Sequence, residues 1–122
     1  MKTITVRDLV GDYTIIGSNQ NDSNINYRGT LNLTLDEHER ILAKWLINNE
    51  QEQFGSGFFK NNILVINFNY LGEDNSTYKG VVVYQCLTKD ILDGFWSEDF
   101  GNPLFLGEER CFRVKESQID LN

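Results

Sequence analysis

The chain has 122 residues, enough for one hydrophobic core and too few for two ordinary domains, so residues 1–122 are expected to form a single domain. At 40% hydrophobic and 12% aromatic residues the composition is that of a globular protein and excludes disorder. A net charge of −7 at pH 7 argues against binding to nucleic acid or to an anionic membrane, both of which call for a basic surface, and it leaves room for a basic protein partner.

The first stretch, "MKTITVRDLVGDY", lacks the apolar core of a secretory leader. No later run approaches the roughly 20 apolar residues of a membrane helix. The cytoplasm is therefore the expected compartment. From here on, short apolar runs alternate with polar turns. They read as eight strands at 11–17, 27–34, 40–47, 52–59, 63–69, 78–87, 91–97 and 104–114. The links between them are short, which favours antiparallel neighbours and a meander. The longer loops are "SNQNDSNIN", "GEDNST" and "EDFGNP", and the single proline, Pro103, sits in the last of them. One run is ambiguous. "DEHERILAKWLI" (36–47) fits a helix capped by Asp36, with Leu42, Trp45 and Leu46 on one face. It also fits a strand in which Ile41, Ala43, Trp45 and Ile47 alternate. Its neighbours decide for strand, because a helix here would break the meander.

Glycine recurs inside these strands beside aromatic residues, as in "YRGTLNL", "QFGSGFF", "YKGVVVY" and "LDGFW". Glycine weakens a flat strand. In a small barrel it lets a strand coil and leaves a seat for a ring from a neighbouring strand. Close approach of a ligand to Gly55 and Gly57 is the functional alternative. Parity then puts Tyr13, Ile15, Tyr27, Leu31, Leu33, Ile41, Ala43, Trp45, Ile47, Leu64, Ile66, Phe68, Leu92 and Trp96 inside. Such a lumen is either filled by side chains or holds one small ligand. The outward parity carries Leu42, Leu46, Phe95 and Phe59, a grouped apolar surface of the kind that marks interfaces.

The first strand opens with "DLVGDY", and a meander with Gly-x-aromatic repeats follows. In this the chain resembles the calycins, the lipocalin-like and avidin-like barrels. In more detail it is similar to a set of small bacterial lipocalin/avidin-like proteins of unassigned function. Their pattern is matched in order by "YRGTLNL", a strand ending in Trp45, "FGSG", "LVINF", "GVVVY", "LDGFW" and "GEER", over residues 9–114. The resemblance implies an all-β, eight-stranded, antiparallel up-and-down barrel with room for a pocket, and it implies no activity. The chain departs from it in two ways. The Gly-x-Trp opening of lipocalins is Gly11-Asp12-Tyr13 here, and the polar set with which avidins hold biotin has no counterpart, so biotin is not an expected ligand.

Catalytic chemistry is sparse. The single histidine, His38, stands in an acidic turn with no second ligand at metal spacing, and Cys86 and Cys111 read as reduced, half-buried thiols. "DEHE" and "GEDN" lack the calcium-loop pattern. No cofactor, metal or catalytic set is expected. The unusual polar stretch is "GEER" (107–110) in the last strand. Inward Phe112 and Val114 would carry Glu108 and Arg110 with them. The resemblance instead aligns Glu109 with a recurring glutamate, with Cys111 on the same face, and a β-bulge would reconcile the two phases. A charge pointing into an aromatic barrel must be paired or neutralised, so it serves either as a closing ion pair or as a polar anchor. Two readings follow. In one, the barrel carries or senses a small apolar or aromatic molecule, with Tyr27, Trp45, Tyr84 and Trp96 stacking on it and Glu109 or Arg110 orienting it. In the other it is an interaction module, a small acidic inhibitor or immunity-type protein, or a homo-oligomer, that uses its loops or its outer apolar face. An enzyme acting by confinement, of the cyclase or isomerase sort, is a third reading that no residue marks.

Overall fold

The computed structural model describes residues 3–21 and 26–115. After a 3₁₀ turn, Val6–Leu9, the chain forms β1 (Gly11–Ser18), β2 (Asn26–Leu35), β3 (Ile41–Ile47), β4 (Gln51–Lys60), β5 (Ile63–Leu71), β6 (Thr77–Thr88), β7 (Ile91–Glu98) and β8 (Gly107–Arg113). Each strand pairs antiparallel with the next, and β8 returns to β1, closing an up-and-down barrel without free sheet edges. Residues 36–40 form a tight turn, and β3 starts at Ile41. The Asp36 carboxylate accepts from the backbone N–H groups of His38 (2.8 Å) and Arg40 (2.9 Å) within that turn, so it folds the chain back instead of starting a helix. The β3–β4 and β4–β5 hairpins turn on asparagine pairs. Asn48, Asn49, Asn61 and Asn62 all take positive φ, between 51° and 64°, as the central residues of primed turns require; the β4–β5 loop is two residues long and the β3–β4 loop adds Glu50 as a third.

The last strand begins later than the sequence suggests, at Gly107 and not at residue 104. Trp96 paired with Gly107 is the outermost rung of the β7–β8 ladder, so residues 104–106 have no strand opposite them. Asn102 turns the chain there, its side chain accepting from the Leu104 N–H (3.0 Å) and its carbonyl from the Phe105 N–H (3.0 Å). On the outer face, Leu42 and Phe95 are exposed and Leu46 is half-buried. Phe59 does not join them. It shares the inward parity of Gly55 and Gly57 and packs against the core.

The inside is continuous from one end to the other. Leu9, Tyr13, Ile15, Leu31, Leu33, Ile41, Leu64, Ile66, Tyr84, Leu92 and Cys111 are shut off from solvent. Both thiols are buried and free. Cys86 and Cys111, both expected half-buried, are shut into the core, and burial pushes the Cys86 thiol up to about 11. One barrel end is sealed. The 3₁₀ turn, closed by a reciprocal Thr5–Asp8 capping box, presses Leu9 into the lumen. Arg113 lies over the Tyr13 ring, 4.8 Å from its centroid, and bonds Asp90 (2.7 Å) and the Val10 carbonyl (2.8 Å).

Candidate functional site

The site grows from one row of residues across five strands. Glu109 on β8 lies directly opposite Gly17 on β1 and Gly94 on β7. Gly17 in turn faces Tyr27 on β2, and Gly94 faces Tyr84 on β6. The row therefore reads Tyr27, Gly17, Glu109, Gly94, Tyr84. A Cβ on either glycine would come within 2.3 Å of the Tyr27 ring or 2.6 Å of the Tyr84 ring. Each glycine is a gap through which a phenol reaches over a whole strand to the carboxyl group. The same device seats Phe68 over Gly80 and Trp96 over Gly107. The glycines thus seat rings from neighbouring strands, as the sequence reading expects, and the closed sheet supplies which ring goes with which glycine. At Gly55 and Gly57 the close approach comes from β5 backbone: a Cβ would meet the Asn67 and Val65 carbonyls at 2.4 and 1.8 Å.

Glu109 is buried among these groups. Tyr27 donates to Oε1 (2.8 Å), Tyr84 donates a short hydrogen bond to Oε2, and Trp45 Nε1, reaching across from β3, is 3.3 Å from Oε2. Trp96 Nε1 donates to the Tyr27 hydroxyl (2.9 Å) and so fixes the phenol that serves Oε1. None of the ion pairs among the described residues involves Glu109. Burial drives its carboxyl above the ordinary range, and the bonds from Tyr84, Tyr27 and Trp45 offset part of that rise. The Tyr27 and Tyr84 phenols are pushed up by burial first and by Glu109 beside them.

Above Glu109, toward the unsealed end, lies a cavity of about 90 Å³. Its wall includes Tyr27, Trp45, Phe68, Tyr70, Trp96 and Glu109, with Glu98, Gln51 and Gln53 nearer the rim. Phe68 meets both indoles edge-on, at 6.2 Å from Trp45 and 6.1 Å from Trp96, and stacks on Tyr70. Tyr70 donates a short hydrogen bond to Glu98. The Cys111 thiol lies 3.9 Å from Glu109 Oε2 but is fully buried and does not line the cavity. The arrangement offers a shaped aromatic wall around one carboxyl group.

Of the residues singled out in the sequence, Tyr27, Trp45, Trp96 and Glu109 converge on the cavity. Tyr84 sits behind Glu109 and braces it, away from the cavity wall. Arg110 points the other way. It is exposed on the outer face and pairs with Asp93 (3.2 Å). The phase of β8 is thus the one with Glu109 and Cys111 inward, and the strand reaches it without a bulge; the register shift of the barrel lies between Cys86 and Thr88. Phe112 accordingly faces out. Nor is Glu109 half of an ion pair: neutral donors hold it. His38 is exposed beside Glu37 at the sealed end. Tyr70 and Glu98 were missed because the predicted strands stopped at 69 and 97. The alternation that marks Phe68 and Trp96 as inward continues one step further to each of them.

No family model matches the sequence, and no curated protein matches it. Solved structures do match the fold. A redesigned β barrel, mFAP0, bound to DFHBI, superposes with a TM-score of 0.62 at 14% identity, over 87% of this chain and 99% of that one. A second, mFAP1, also bound to DFHBI, gives 0.61 at 14% identity over 89% and 97%. EF1p2_mFAP2b bound to DFHBI gives 0.60 at 14% identity, over 88% of this chain and 95% of that chain. At this identity the likeness is one of fold: a closed, eight-stranded, antiparallel barrel.

Proposed function

We propose that the protein binds one small molecule with an apolar or aromatic body in its lumen, as a calycin-like carrier or sensor, with Glu109 as the polar anchor. The observation that carries this reading is the unpaired, buried carboxyl group in the wall of an aromatic cavity. The carboxyl satisfies the buried donors of Tyr27, Tyr84 and Trp45, and it also presents to the cavity an ionisable group whose burial carries a desolvation cost, which a filled apolar core would not need. That similar barrels are bound to DFHBI supports the lumen as the place for a ligand. The two indole N–H groups, Trp45 and Trp96, both point into this network, so their NMR signals report on it directly. Titration with single-ring probes such as phenol or toluene should shift both signals saturably. Val82→Phe, which fills the cavity wall, should abolish the shifts while the circular dichroism is kept. Shifts confined to outer-face residues, or none, would overturn the reading.

One observation favours the interaction reading as well. The β7–β8 loop presents Phe100, fully exposed, and Leu104, 83% exposed, close to Phe105 and Leu106. A module that grips a partner would do so here, beside the cavity mouth and not over the β3 face.

A further inference from the structure

We infer that the lumen ligand is a small organic cation, a protonated amine or a methylated ammonium; this rests on the lumen-binding reading above. Among the described residues the cavity has two carboxyl groups, Glu109 in its wall and Glu98 at its rim, and no lysine, arginine or histidine lines it. The cation nearest in sequence, Arg110, is turned outward onto Asp93. Aromatic faces carry negative potential and attract cations most strongly where water is excluded. Here Tyr27, Trp45, Phe68, Tyr70 and Trp96 supply such faces.

The hydrogen-bonding inventory points the same way. The four polar donors of the aromatic wall are committed to the protein's own acceptors. Tyr27 and Trp45 donate to Glu109, Trp96 to Tyr27 and Tyr70 to Glu98. An anionic ligand would find none of these four donors free, only the side-chain amides of Asn19, Gln51 and Gln53, and two carboxyl groups against it. An ammonium would find acceptors. A carboxylate offers about four lone-pair sites, and Glu109 accepts from three N–H or O–H donors and, weakly, from the Cys111 thiol at 3.9 Å, which a cation would displace most easily. The space, about 90 Å³ and walled by aromatic rings, suits a compact methylated ammonium head.

Seating a cation there has a proton consequence. Burial favours the neutral carboxyl in the empty site, so proton and cation compete for Glu109. The groups facing it are Tyr27 from β2, Trp45 from β3, Tyr84 from β6, Gly17 from β1, Gly94 and Trp96 from β7 and Cys111 on β8, with Glu98 at the rim. The Tyr27, Tyr84 and Cys111 groups are all raised by burial and stay neutral near pH 7. Cation affinity should therefore rise with pH and level off once Glu109 is ionised in the empty site.

The test compares tetramethylammonium with two probes of similar shape, neutral tert-butanol and anionic pivalate, followed by the indole N–H signals and by calorimetry in two buffers of different ionisation enthalpy. Tetramethylammonium should bind at least about tenfold more tightly than tert-butanol, pivalate should not bind, and protons should be released. Glu109→Gln should weaken the cation by about tenfold or more and remove its pH dependence, leaving tert-butanol little changed. Glu98→Gln, at the rim where folding is not at stake, should give a smaller loss in the same direction. If tert-butanol matches tetramethylammonium and Val82→Phe blocks both, the charge inference falls while the lumen reading stands. If neither these three probes nor the single-ring probes bind, both fall.

Discussion

Glu109 makes the fold depend on pH in an unusual direction. Most carboxyl groups in native proteins are stabilised as anions and favour the folded state as pH rises. Glu109 is buried, and its folded-state pKa lies above its unfolded value. Below the unfolded value both states hold the proton and the group contributes no slope. Between the two values the folded chain holds more protons than the unfolded one, so stability falls as pH rises. Glutamine at this position cannot ionise and carries no such slope. Comparing urea midpoints of the wild type and Glu109→Gln, the difference should move in the variant's favour as pH rises above about 4.5, by up to about 1.4 kcal/mol per unit of pKa elevation. A difference that is flat across this range would mean that the carboxyl is solvated. A difference moving the other way would mean that a cation pairs with it in solution.

At the level of strands, the alternation of apolar and polar residues marked the meander, but at 36–47 the alternation of Ile41, Ala43, Trp45 and Ile47 competed with a helical face, and the neighbouring strands decided for the strand that the barrel contains. Register was not legible. Which glycine sits under which ring depends on cross-strand partners that local sequence does not encode, so the row through Gly17, Glu109 and Gly94 emerged only from the closed sheet. Arg110 was misplaced for the same reason: the inward appeal of Phe112 competed with that of Cys111, and only pairing to β1 and β7 decides between them. The closeness of β4 to β5 gives this a measurable form. At Gly57 an added methyl would meet the Val65 carbonyl at 1.8 Å, and backbone cannot step aside as a side chain can. At Gly101 the obstacle is the end of the Gln20 side chain. Gly57→Ala should destabilise by about 1–3 kcal/mol and Gly101→Ala by less than about 1 kcal/mol in chemical denaturation. Equal costs would show that strand coiling is not what the barrel needs from Gly57.

For the molecule as a whole, the two barrel ends do different work, and charge is shared unevenly between local pairs and the overall field. The sealed end is held by Arg113, whose bond to Asp90 is 2.7 Å long with the guanidinium side chain only 16% exposed, so salt should screen it weakly. The remaining pairs, such as Arg7–Glu39, Lys44–Glu52 and Arg110–Asp93, have half or more of the side chain of at least one partner exposed and contribute little each. Against them stands the repulsion among 18 acidic side chains balanced by only 11 basic ones. Repulsion acting over the whole surface is screened once the Debye length falls to about 8 Å near 0.15 M salt. Raising sodium chloride from about 0.01 M to about 0.15 M should therefore raise the thermal midpoint. The rise should be the same in the wild type and in Glu109→Gln, because a carboxyl buried among Tyr27, Tyr84 and Trp45 is out of reach of the ion atmosphere. Salt and pH then separate two sources of acid preference: the surface field responds to both, the buried group to pH alone. A midpoint that falls with salt would reverse this ranking, making the exposed pairs the dominant electrostatic contribution to the barrel.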